Sequence, residues 1–371
     1  MKIQISKPYL DQDDRKNIIK TFDSSWISSN GKNILELEKN FSKYTRSKYA
    51  LSCSNGTIAI ELALKALGVK KNSEIIVPNL TFAATINAVI NVGAKPVIID
   101  ISDKNFEYDS NHLKKVVNKN TFAIIFVHLF GIPIDIKKQL KGLQFKNIKI
   151  IEDCAESLGA KIKGVHTGNF SDCSTFSFFS NKIITTGEGG MINFKHKKIY
   201  EIAKKIKNQG RAYGKFYWHD EIGGNYRMTN LQASLGLTQL KKINKLLNLR
   251  KKIYNYYDFQ FKDFPEIVPL HKLIKTNFDN ISYWYYTISI FKLNERLRDN
   301  LIKYLEKKNI ETRPLFYPLS SMNIYKKYLL GSTKNSNKLS YVSLSLPTYP
   351  NLKKTEVKYI SENVIKFLNS L

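Results

Sequence analysis

The chain has 371 residues, 43% of them hydrophobic and 12% aromatic, enough apolar mass for a sizeable core and too much for a globally disordered chain. Its 59 Lys and Arg against 31 Asp and Glu give a net charge of +28. The surplus is spread as doublets such as Lys70-Lys71, Lys204-Lys205 and Lys353-Lys354, with no basic arm, zinc knuckle or RNP-like aromatic motif, so solvated helix faces explain it better than a nucleic-acid surface.

The positive field can still steer a small anionic substrate. No apolar run approaches the roughly 20 residues that span a bilayer, and MKIQISKPYLDQDDRKN carries no apolar secretory core. Cys53, Cys154 and Cys173 show neither a disulfide framework nor metal spacing. The expectation is a cytoplasmic protein with reduced thiols, no metal, no membrane insertion and no nucleic-acid partner.

Short β-branched runs then alternate with helical ones. Strands are expected at 49–53 (YALSC), 74–78 (EIIVP), 95–100 (KPVIID), 122–128 (FAIIFVH), 148–153 (IKIIED), 174–178 (STFSF) and 190–194 (GMINF). Amphipathic helices are expected over 57–67 and 82–92. Strands joined by helical crossovers predict an α/β fold, a mainly parallel central sheet sandwiched by helices. From Thr229 to Tyr257 one long helix is expected, with Leu231, Leu235, Ile243 and Leu247 on one face. A strand within 284–291 and helices over 296–309 and 355–368 predict a smaller α+β C-terminal domain. The division is placed after residue 247, giving 1–247 (N-terminal segment included) and 248–371.

In such sheets ligands bind beyond the carboxyl ends of the strands, and several of those ends carry candidate chemistry. Asp153 closes the apolar run IKIIED; it caps the next turn or pairs with a ring cation. The turn SCSNGT (52–57) ends the first strand and opens a helix at Thr57, an ordinary cap or an anion cradle. Phe82 follows the second strand, as core or as a flat platform for a ring. Lys182 sits between the aromatic FSFF and the small-residue run TTGEGG, whose glycines allow a tight turn. Pyridoxal 5′-phosphate needs a lysine to bond its aldehyde carbon, an acid against its pyridinium nitrogen, a phosphate cradle and flat packing on its ring. Lys182, Asp153, Gly56-Thr57 and Phe82 offer one group for each need. Apolar neighbours and a positive ring would lower the Lys182 pKa, as imine exchange requires.

The segments SNGTIAIELAL (54–64), PNLTFAATINAV (78–89), IEDCAESLGA (151–160), FSFFSNKIITTGEGGM (176–191), GGNYRMTNLQASLGLTQL (223–240), TRPLFYPL (312–319) and LSLPTYP (344–350) together resemble the DegT/DnrJ/EryC1/StrS family of nucleotide-sugar aminotransferases. The resemblance implies a fold-type-I homodimer that uses pyridoxal 5′-phosphate, with pyridoxamine 5′-phosphate as the intermediate form. Glutamate is the implied amino donor and a nucleotide-diphosphate ketosugar the acceptor, for a surface polysaccharide or other glycan. Lys182 matches the Schiff-base lysine and Asp153 its pyridinium partner. Phe82 matches the stacked aromatic, Gly56, Thr57 and Ser177 the phosphate contacts, and Glu156 a position near the ring hydroxyl. Asn225 matches an asparagine that reaches the cofactor phosphate of the partner subunit. Related 3-dehydratases carry histidine at the lysine position, so Lys182 favours transamination. Ser157-Leu158 and Ser180 depart from the commoner residues at their positions. Within the family the combination looks most like the branch that aminates C4 of GDP-4-keto-6-deoxymannose to make GDP-perosamine, although enzymes of UDP- and dTDP-ketosugars share much of it. Arg313 and Tyr317 would then lie near the nucleotide-sugar, with a domain-interface salt bridge as the other role open to Arg313.

Overall fold

The computed structural model describes residues 2–102, 106–143, 147–273 and 279–371. Strands β1 (Tyr49–Cys53), β2 (Glu74–Pro78), β3 (Lys95–Ile99), β4 (Thr121–Val127), β5 (Lys149–Asp153), β6 (Cys173–Ser177) and β7 (Gly190–Phe194) form one sheet in the order β1-β7-β6-β5-β4-β2-β3. Strands β2 to β6 pair in parallel, while β7 runs antiparallel to both its neighbours. Because β7 opposes both, β1 runs in the same direction as β6.

The strands are near-continuous apolar runs because both faces are covered. Alternation divides them: Met191 joins the larger core, whereas Ile192 joins a smaller one with Leu51, Ala59, Leu62 and Ala203. The helices Gly56–Ala66 and Lys197–Lys207 enclose that smaller core. The larger core continues through Leu246 and Ile253 into Ile288 and Leu344 of a second, antiparallel sheet. That sheet has β8 (Val268–Pro269), β9 (Tyr286–Ser289), β10 (Arg313–Pro314) and β11 (Ser343–Leu346) in the order β8-β9-β11-β10.

The long helix expected from Thr229 to Tyr257 is two helices, Asn230–Lys241 and Ile243–Gln260. Lys242 separates them because its ammonium is drawn to Asp11 at 2.6 Å and Asp14 at 2.7 Å, and its amide closes the first helix onto Gln239. The first helix also buries a different face from the expected one. Ala233, Ser234 and Gly236 are inside, and Leu231 and Leu235 are only half-buried. A Cβ on Gly236 would stand 2.9 Å from Leu37, so close packing on the helix Lys32–Thr45 selects small residues there. The expected division after residue 247 falls inside the helix Ile243–Gln260. Ile3 and Ile5 bond to Asn309, Glu311 and Thr348, so the extreme N-terminus lies against the second sheet.

The two sheets meet through the segment 281–285. Ser282 donates its amide to the Gly131 carbonyl at 3.0 Å and its hydroxyl to the Leu158 carbonyl at 2.9 Å. Gly131 has φ +77°, and a Cβ there would sit 2.9 Å from Ser282 Cβ and 3.1 Å from the Glu156 carbonyl. Gly131→Ala is therefore expected to cost about 2 kcal/mol through strain and crowding, read as a lower urea midpoint at unchanged slope.

Candidate active site

The sheet's register brings the first candidates together. Gly190 pairs with Cys53 on one side and Ser177 on the other, so the chains leaving β1 and β6 emerge side by side. Gly190 is needed there because a Cβ would stand 2.5 Å from the Asn55 carbonyl oxygen. Asn55 caps the helix Gly56–Ala66 by accepting from the Ile58 amide at 2.9 Å. The amides of Gly56 and Thr57 are then first-turn donors with no intrahelical acceptor, at the positive end of the helix. A Cβ on Gly56 would meet Ser177 Cβ at 2.9 Å, which places the Ser177 hydroxyl beside those amides. This turn is a small cradle with the chemistry of an anion site.

Asp153 ends β5 on the same edge. Its Oδ2 accepts from the Thr85 hydroxyl at 2.8 Å and its Oδ1 from the Ala155 amide at 3.1 Å. Burial pushes its carboxyl above the ordinary range, against the hydrogen bonds and the Lys182 charge. Among the described residues no cation lies within ion-pair distance of it. Thr85 lies one helical turn beyond Phe82, so one short helix, Ala83–Asn91, serves both positions. Phe82 itself is 59% exposed, which is unusual for a core aromatic. Its ring packs on Phe316 at 5.6 Å, and Phe316 in turn on Phe130 at 5.3 Å.

Lys182 follows β6 in a loop held by its own amide on the Phe179 carbonyl and by Thr186 on Phe178. Its Nζ lies 3.9 Å from Glu156 Oε1 and 4.2 Å from the centroid of the Trp284 indole. Burial lowers the pKa of Lys182, while Glu156 and Asp153 hold it up. Burial likewise raises Glu156, to about 7, and its other oxygen accepts from the Phe130 amide at 2.7 Å.

The remaining expected residues are placed less centrally. Tyr317 is part-exposed and its hydroxyl accepts from the buried Arg298 at 3.4 Å. Arg313 is largely exposed and bonds Glu311, two residues away. Asn225 is exposed, next to Tyr226, whose carbonyl accepts from the Ser54 amide at 3.1 Å. His128, Glu152 and Cys154 form a buried cluster behind Asp153. Both imidazole nitrogens of His128 are engaged, Nδ1 by the Ile134 amide and Nε2 by Glu152, so its ring has no lone pair free for a metal.

Sequence reasoning did not single out Thr85, Phe130, Trp284 or Phe316. The one-turn spacing from Phe82 was a signal for Thr85. Nothing in the spacing points to Trp284, whose indole N–H reaches the Asn181 carbonyl across 103 positions.

A largely covered lysine, a buried acid without a cation and an anion cradle on one sheet edge match a phosphorylated ring aldehyde. The chain belongs to the DegT/DnrJ/EryC1/StrS aminotransferase family. The match covers residues 8–365. GDP-perosamine synthase of Escherichia coli O157:H7 is 38% identical over 98% of both chains, and that of Vibrio cholerae 37% over the whole of both. The E. coli GDP-4-keto-6-deoxy-D-mannose-3-dehydratase, solved with bound hydrated pyridoxal phosphate, superposes with a TM-score of 0.88 at 26% identity over 98% of this chain and 99% of that one. As in this aminotransferase family generally, the cofactor is pyridoxal 5′-phosphate, and the groups just described fit it: the cationless Asp153 for the ring nitrogen, the Gly56 cradle for the phosphate.

Glu156 also makes stability pH-dependent. The folded chain holds its proton up to about pH 7, whereas the unfolded chain releases it near the ordinary 4.5. The group's contribution is therefore fully present below pH 4.5 and lost as pH rises through 7. In cofactor-stripped protein, urea titrations should show a parent stability that declines by about 1–3 kcal/mol between pH 5 and 8 relative to Glu156→Gln.

Proposed function

We propose that this enzyme transfers an amino group from glutamate to C4 of a GDP-linked 4-keto-6-deoxysugar, in the manner of a GDP-perosamine synthase, to supply a surface polysaccharide or other glycan. The observation that carries the reading is the largely covered Lys182 ammonium beside Glu156 at the sheet edge that also holds Asp153. When bound, pyridoxal phosphate supplies an electron sink for the pair left as a carbon gives up its proton.

The chain's own residues do the rest. Lys182 would hold the cofactor at rest, and with its amine free Nζ would take the proton from the donor's α-carbon. Later it delivers a proton to C4 of the sugar. Asp153 keeps the ring nitrogen protonated, and its burial makes that ion pair strong. Gly56, Thr57 and Ser177 bind the phosphate, Phe82 covers the ring, and Glu156 faces the ring hydroxyl. Tyr317 and Arg313 serve the nucleotide-sugar, Arg313 by exchanging Glu311 for a diphosphate. The lysine separates this chemistry from the dehydratase branch. Residues 1–247 form the larger, cofactor-binding unit and 248–371 the smaller unit that carries Arg313 and Tyr317, the two joined by the continuous helix Ile243–Gln260.

Asn225 completes the phosphate site of a second subunit in a cytoplasmic homodimer. The exposed Phe216, Tyr217, Trp218 and Ile222 just before it support this, since a patch of that kind is the surface a partner covers.

Lys182→Ala is expected to be colourless and inactive, and Asp153→Asn to lose at least about 10²-fold in kcat with the cofactor still bound. Enzyme in the pyridoxamine form, offered GDP-, UDP- and dTDP-linked 4-ketosugars, should aminate the GDP substrate with the highest kcat/KM. Preference for a UDP or dTDP sugar would replace the nucleotide assignment. Mixing Lys182→Ala with Asn225→Ala subunits should restore about a quarter of the parent activity if the site is shared across a two-fold axis; no recovery would place Asn225 in its own subunit's site.

A further inference from the structure

An aromatic side chain in contact with Lys182 comes from the segment that leads into the second sheet, not from the strands that hold the acid and the cradle. Trp284 is 2% exposed, and the Lys182 Nζ lies over its ring at 4.2 Å from the centroid, within the range of a cation–π contact. The indole is fixed from every side. Its Nε1 donates to the Asn181 carbonyl at 2.9 Å, in the residue just before Lys182. Its own carbonyl accepts from Arg250 Nη1 at 2.8 Å. Tyr285 stacks on it at 4.2 Å, and Phe130 packs at 5.5 Å. Tyr283, at φ +52°, turns the chain sharply just before it.

Arg250 explains why this anchor is strong. It is 1% exposed and forms no ion pair among the described residues; its charge is spent on two backbone carbonyls, those of Trp284 and Thr348. Burying a guanidinium is costly unless it is well bonded. Here the two carbonyl bonds offset part of that cost, and one of them fixes the Trp284 backbone.

We propose that Trp284 is the positioning residue for Lys182: its indole face holds the ε-ammonium whenever the amine is not bonded to the cofactor, keeping it within reach of the reacting carbons. The inference rests on Lys182 being the cofactor-bonding lysine. The charged groups facing Lys182 are Asp153, at the end of β5, and Glu156, in the turn that follows it. The helix Ala83–Asn91 contributes only the neutral Thr85, which is engaged by Asp153, and the segment after Phe178 contributes neutral Asn181. The indole is thus the group by which the segment leading into the second sheet meets the ammonium. It also makes Lys182 sensitive to how the two sheets are seated on each other.

The test uses full-length enzyme in its pyridoxamine form, where Lys182 carries a free amine. The pH dependence of Lys182 acetylation by trace acetic anhydride, read by peptide mass spectrometry, gives the midpoint at which the amine loses its proton. In Trp284→Leu that midpoint should fall by about half to one and a half pH units, and in Trp284→Phe by less. A residue that only fills space would let water in when shortened, so a midpoint unchanged or raised in both variants overturns the proposal. If the leucine variant does not fold, the phenylalanine variant decides by the same sign. Borohydride reduction of the pyridoxal form separates the two failures. Cofactor fixed to a lysine other than Lys182 sinks the underlying assignment; cofactor on Lys182 with an unmoved midpoint sinks only the role of Trp284.

Discussion

One ammonium and two carboxylates share a few ångströms of water-poor space at the edge of the main sheet, and the surrounding structure follows from that constraint. A buried charge is tolerated only when paired and hydrogen-bonded. Asp153 accepts from Thr85 and Ala155, Glu156 accepts from Phe130, and Lys182 faces Glu156 and an indole. Burial raises both acids and lowers the lysine, so all three are moved toward the neutral forms between which proton transfer is easiest. The same arrangement that strains stability prepares the chemistry.

Supplying those partners explains features that otherwise look arbitrary. Phe130 and Gly131 both have positive φ, and the resulting turn aims the Phe130 amide at Glu156 while leaving room for Ser282. Ser282 fixes the segment that carries Trp284. Behind Asp153, Glu152 accepts from His128, Gly168, Phe170 and Ser171, a fully satisfied buried carboxylate that keeps the end of β5 rigid. Rigid support of this kind holds a catalytic group to the narrow geometry that catalysis requires.

The surface follows different rules. The net charge of +28 has no counterpart at the site, where Lys182 faces two acids. Several lysines instead lie over exposed or part-buried rings, such as Lys215 over Trp218 and Lys354 over Tyr256, and cover apolar surface with their stems.

The sequence by itself determined the seven strands of the main sheet, four of them centred on Val and Ile runs and the others on short apolar or aromatic stretches, and with them the positions of Asp153, Ser177 and the Gly56 turn. Strand ends are legible because an apolar run stops where a polar or small residue begins. Lys182 was legible because it stands between an aromatic run and a run of small residues, beyond a strand end. The helix break at Lys242 was not, because the apolar period continues across it and only Asp11 and Asp14, more than 200 positions away, draw the lysine out of line. Trp284 was not legible either. Its role comes from the seating of the second sheet on the first, and a contact between surfaces that distant in sequence leaves no periodicity to read. Local propensity therefore specified where the acid, the cradle and the lysine stand, and only tertiary packing decided what the lysine leans against.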